Sequence, residues 1–69
     1  MKLSARNRIK GTVTEVKEGP VSCEVRVDIG GGNTITSSIT STATAELGIA
    51  AGKEVYVVIK ASNVMLGTD

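Results

Sequence analysis

Residues 21 to 29 constrain this chain more than any other stretch: Val21, Cys23, Val25, Val27 and Ile29 alternate without a break with Ser22, Glu24, Arg26 and Asp28. Successive side chains of an extended strand point to opposite faces, so a strict period of two writes a strand with one dry face and one wet face. Gly19-Pro20 precedes the stretch and Gly30-Gly31-Gly32-Asn33 follows it, so both ends carry turn residues. A strand on either side is the natural reading. Upstream, Ile9, Gly11 and Val13 share a face and Val16 falls out of phase, which places a bulge or bend near Thr14 and Glu15. Downstream, Ile35, Ser37 and Ile39 continue a third strand.

Residues 41 to 48 change character. Ser41 or Thr42 is suited to cap a helix, Ala43 and Ala45 favour one, and Gly48 sits where a C-terminal cap belongs. After a turn at Gly52-Lys53, residues Val55 to Ile59 read as a fourth strand and Asn63 to Leu66 as a short fifth. The expected fold class is therefore all-β with one short helix. Its β-β-β-α-β-β order is that of a five-stranded OB-fold-like barrel, formed by residues 1–69 as a single domain.

A domain of 69 residues buries only about 60% of the surface its unfolded chain exposes, and is marginal as a monomer. The one cysteine, Cys23, cannot form an internal disulfide, and no Cys/His cluster offers a structural metal site. Association of copies is the remaining route to stability. The fourth strand agrees with it: Val55, Val57 and Ile59 fill one face, while Tyr56 and Val58 make the other apolar as well, and two apolar faces need two partners. Lys60 extends the Tyr56 and Val58 face at its end.

The residue inventory excludes several functions. Eight Lys plus Arg against seven Asp plus Glu give a net charge of +1, too little to recruit nucleic acid or anionic lipid by its global field. Single-strand binders stack bases on several aromatic rings, and Tyr56 is the sole aromatic residue here. There is no histidine and no evident carboxylate pair, which argues against general acid-base catalysis, a Ser-His-Asp relay or a His-containing metal site. The triple glycine lacks the helix and lysine of a phosphate-binding P-loop and reads as a hairpin turn. No apolar run approaches the roughly 20 residues of a membrane span, and Met1-Lys2-Leu3-Ser4 lacks the apolar stretch of a signal peptide, so the expected location is the cytoplasm.

One segment points to a ligand. Ser4-Ala5-Arg6-Asn7-Arg8 places a hydroxyl, a guanidinium and an amide side by side before the first strand. These groups are mainly donors, and anions take donors. Read alone, the segment fits a solvated basic stretch as well as an anion site.

Ser4-Ala5-Arg6-Asn7, followed by Lys10-Gly11, Ile39-Thr40, Leu47-Gly48, Gly52-Lys53-Glu54 and Lys60-Ala61 with Val64, resembles the molbindins, small molybdate-binding proteins. The module also looks like the ligand domain of molybdate-responsive regulators and the accessory domain of molybdate transporter ATPases. The resemblance implies binding of molybdate or tungstate for intracellular storage and homeostasis, without catalysis or an organic cofactor. It also implies a homohexamer, a trimer of dimers, that holds oxyanions between subunits. By that resemblance Ser4, the backbone amide of Ala5, Arg6, Thr40 at the helix start and Lys60 hold the anion. Where some related regulators carry a second hydroxyl near the helix start this chain has Ala43, with Thr42 or Ser41 as the available substitute. A further site near the threefold axis would fall at Pro20, Val21 and Ser22, with Ser62 as another candidate. The alternative from a different class is a regulatory module that reports anion occupancy to a protein partner.

Overall fold

The computed structural model describes residues 1–69. Four antiparallel strands, β1 (Asn7–Lys17), β2 (Ser22–Gly30), β3 (Asn33–Thr40) and β4 (Glu54–Ile59), form one sheet in the order β3-β2-β1-β4. A helix, α1 (Ser41–Glu46), lies between β3 and β4, and a single 3-10 turn, Ala61–Asn63, follows β4.

The alternation in β2 becomes burial: Cys23, Val25 and Val27 are buried while Ser22, Glu24, Arg26 and Asp28 are exposed. Thr14 is the extra residue of β1, because Val13 pairs with Val27 and the next pair is Glu15 with Arg26. This bulge swings Val16 back to the face of Val13, opposite Val25, and so repairs the broken phase. The β2–β3 hairpin closes through Gly31 and Gly32, both at positive φ (63° and 79°), the pair of left-handed residues a two-residue hairpin turn demands.

Thr40, not Ser41 or Thr42, caps the helix: its Oγ1 accepts the Ala43 N–H at 3.0 Å. Ser41 is spent instead on the β1–β2 turn, its N–H donating to the Val21 carbonyl (2.8 Å) and its hydroxyl to the Gly19 carbonyl (2.8 Å). The helix ends two residues before Gly48, which takes the left-handed conformation expected beyond a C-cap (φ 64°).

The fifth strand does not form, and the barrel is therefore not closed. After Ile59 the backbone N–H groups of Asn63 and Val64 turn back onto the carbonyls of Lys60 (2.9 Å) and Ala61 (3.2 Å), which diverts the chain from the β4 ladder. Val64, Met65 and Leu66 then run exposed, at 44%, 92% and 94%. The result is a curled four-stranded half-barrel. Its buried core is only Val13, Cys23, Val25 and Val27, with half-buried Ile39, Val55 and Val57 among the residues against it. No helix is long and apolar enough to cross a membrane.

Candidate functional site

Register determines which candidate residues meet. At the start of β1, Asn7 pairs with Ile59 at the end of β4, so Arg6 and Lys60 occupy the next positions outward on neighbouring strands. Ser4 and Ala5 lead into this corner, and Ser62 lies in the turn just after Lys60. Asn7 shares the half-buried face of Ile9, and its Nδ2 donates to the Ile59 carbonyl at 3.2 Å. The amide that looks like an anion donor in the sequence is thus a clasp between the two strand ends. The period of two, continued back from Ile9, already points it inward.

Thr40 stands elsewhere. It pairs with Ser22 at the start of β2, beside the far end of β1, where Lys17 pairs with Glu24. An 11-residue strand is roughly 30 Å long, so Thr40 and the Arg6/Lys60 corner are separated by about the length of β1 along the sheet, with Thr40 on the outer strand β3 and the corner at the ends of β1 and the other outer strand, β4. Pro20, Val21 and Ser22 gather at the Thr40 corner, where Val21 is 75% exposed. Ser41 is engaged with Gly19, which leaves Thr42, exposed on the first turn, as the free hydroxyl near Ala43.

The two corners differ in charge. Lys2, Arg6, Arg8, Lys10 and Lys60 supply five of the eight cations, and no acid occurs before Glu15. Lys10 is neutralised locally: its ammonium lies 3.0 Å from Glu54, whose carboxylate, through the hydrogen bond and its charge, raises the Lys10 pKa above the ordinary lysine value. Arg8 is also occupied, with Nη1 donating to the Met1 carbonyl (3.1 Å) and the guanidinium 6.0 Å from the Tyr56 ring centre. The remaining ion pair is Lys17 with Glu15 at 4.0 Å. Arg6 and Lys60 are exposed and enter no ion pair, so this corner carries two uncommitted cations. Cys23 and the acids are grouped nowhere in a way that would hold a metal ion directly.

The fold is a small curled β module with a helix before its last strand and a donor-rich corner where the ends of β1 and β4 meet. A family model described as the TOBE domain matches residues 3–66, and the chain belongs to this family, among its molybdenum-pterin-binding (Mop) members. A probable molybdenum-pterin-binding protein of Haemophilus influenzae is 46% identical over 69 residues, covering the whole of both chains. Among solved structures, MopII from Clostridium pasteurianum superposes with a TM-score of 0.90 at 43% identity, over 97% of this chain and 100% of that one. The cytoplasmic molybdate-binding protein ModG, solved with molybdate bound, gives 0.94 at 48% identity over all of this chain and 49% of its own. The molbindin resemblance carried by the Ser4-Ala5-Arg6-Asn7 segment is therefore sound.

Proposed function

We propose that this chain binds molybdate or tungstate at sites shared between copies, and serves as a cytoplasmic store that buffers the free oxyanion. The observation that carries this reading is the placement of the two corners. Arg6 and Lys60 offer two unpaired positive charges at one end of β1, with Ser4 and the Ala5 N–H beside them, while the Thr40 hydroxyl sits at the other end. One chain cannot wrap all of these around a small anion; two chains packed corner to corner can.

The chemistry of the donors suits such a guest. Molybdate and tungstate are tetrahedral dianions with no proton at neutral pH, so they require donors alone, and Ser, Thr, Arg, Lys and backbone N–H groups supply them. A flat pterin ring would want an aromatic face, and the only one, Tyr56, is already approached by Arg8. The relatives' names, which include molybdate binding, support the inorganic part of the ligand.

Subunit complementation tests the shared site. Arg6→Ala chains and Thr40→Val chains are each titrated with molybdate by calorimetry, then unfolded, mixed and refolded together. Sites that draw on two chains reappear at full affinity in a fraction of the mixed assemblies. Sites confined to one chain stay damaged after mixing, and that result would refute the proposal.

A further inference from the structure

We propose that Ser41 is the positioning residue of the Thr40 donor: it braces the first turn of α1 against the turn between β1 and β2, and so fixes where the Thr40 hydroxyl points. The inference rests on the reading of Thr40 as an anion donor, and it gives Ser41 a role without contact to the anion.

The peptide unit that joins the two residues is held at both edges. The first N–H groups of a helix have no partner inside it, and that of Ser41 is taken up outside, donating to the Val21 carbonyl at 2.8 Å. The same unit carries the Thr40 carbonyl, which accepts the hydroxyl of buried Thr44 at 2.9 Å. Bonds on both sides keep the plane from rocking and hold Thr40 extended, at ψ 152°. On this fixed backbone the Thr40 side chain keeps one direction, because its Oγ1 accepts the Ala43 N–H at 3.0 Å.

The Ser41 side chain adds a second tie to the same turn. Its hydroxyl donates to the Gly19 carbonyl at 2.8 Å and accepts the S–H of buried Cys23 at 3.7 Å. Cys23 pairs with Ile39, on the rung next to the Ser22–Thr40 pair, so the brace is anchored in the sheet directly beside the donor it steadies. Removing this half-buried hydroxyl would leave the Gly19 carbonyl and the Cys23 thiol without their shared partner.

The helix cannot hold itself in place. It has six residues and buries only Thr44, and so short a helix is marginal without outside contacts. A donor on a fraying turn must be ordered anew each time it binds, which lowers affinity, whereas a braced one is ordered beforehand.

A double-mutant cycle on the full chain tests this, with Ser41→Ala, Thr40→Val and the double variant titrated with molybdate by calorimetry. Ser41→Ala should weaken binding about tenfold where Thr40 is present, as for one lost hydrogen bond, and change it little where Thr40 is already replaced. Ser41→Thr, which keeps the hydroxyl, should bind like the unaltered chain. Without molybdate, exchange of the Ser41 and Ala43 amides should speed up on the order of tenfold in Ser41→Ala. If Ser41→Ala does not fold, Ser41→Cys takes its place, with smaller shifts in the same directions because a thiol is a weaker donor. Equal losses with and without Thr40 would reveal a general loss of stability and overturn the proposal, as would unchanged amide exchange or a Ser41→Thr chain as weak as Ser41→Ala. The exchange measurement needs no ligand, so it judges the brace even if the unaltered chain binds no molybdate, a result that would overturn the proposed function instead.

Discussion

Asn7 and Ile59 hold the two ends of the candidate anion corner together: the Asn7 Nδ2 donates to the Ile59 carbonyl at 3.2 Å, one step inward from Arg6 and Lys60. The bond orders the backbone on which two uncommitted cations stand. Asn7→Ala should cost about 1 kcal/mol of stability, the usual net worth of one such bond, seen as a fall of roughly 4–8 °C in Tm. Molybdate affinity should fall as well, because Arg6 and Lys60 lose their fixed spacing. Scanning calorimetry and titration calorimetry on the same variant check both parts.

Arg6→Ala and Lys60→Ala should each weaken oxyanion binding while leaving the fold intact, since both side chains are exposed and bond to nothing in the chain. A lost charge-assisted hydrogen bond is worth about 1.5–3 kcal/mol, or roughly 10- to 150-fold in affinity. Arg8→Ala should change affinity little, because its guanidinium is turned to Met1 and Tyr56. Titration of the three variants ranks them, and Arg8→Ala emerging as the weakest binder would displace the proposed site.

Selectivity should follow proton count and size. Phosphate near neutral pH carries an O–H that needs an acceptor, and the proposed shell of Ser4, Arg6, Thr40, Lys60 and backbone N–H contains no carboxylate. The unmade bond costs about 1–3 kcal/mol. Sulfate has no proton and is disfavoured only by its smaller size, so the expected order is molybdate and tungstate together, then sulfate, then phosphate. Competition calorimetry reads the order directly.

Gly11→Ala should be strongly destabilising although Gly11 lies in a strand where alanine has the better propensity. An added Cβ would stand 2.6 Å from Val27 Cγ1 and 2.7 Å from the Asp28 carbonyl oxygen, and a backbone atom cannot step aside as a side-chain tip can. Overpacking of this kind costs about 1–3 kcal/mol, which outweighs the roughly 0.5–1 kcal/mol of backbone entropy gained. Urea titration should show a lower midpoint with an unchanged m-value.

The sequence made the sheet legible wherever one face met a core and the other met water. The β2 alternation, the β1 bulge and the glycine hairpin all follow from side-chain phase and backbone freedom, which are local properties. Thr40 as the helix cap was less visible, because three adjacent hydroxyls compete for the role and Ser41 is drawn away by the Gly19 carbonyl, a contact between residues 22 apart. The strand pattern of Asn63 to Leu66 does not become a strand, because a ladder requires a neighbour and the 3-10 turn that takes in Asn63 carries the segment away from β4. For the anion corner, residue chemistry named Arg6 and Lys60 through a family resemblance, whereas their adjacency and the remoteness of Thr40 come only from register.

The cap at Thr40 also makes the one α-helix in the fold a reporter. A hydroxyl has one hydrogen and two lone pairs. With the Ala43 N–H directed at its oxygen at 3.0 Å, that hydrogen is turned off the helix, and accepting one bond polarises the group to give another more strongly. An anion that draws on this hydrogen tightens the cap in the same act, so filling of the site and fraying of residues 41–46 become opposite ends of one equilibrium. Exchange of the single Ala43 amide would then slow as molybdate fills the site, and an amide signal would count occupied sites without any chromophore or radiolabel.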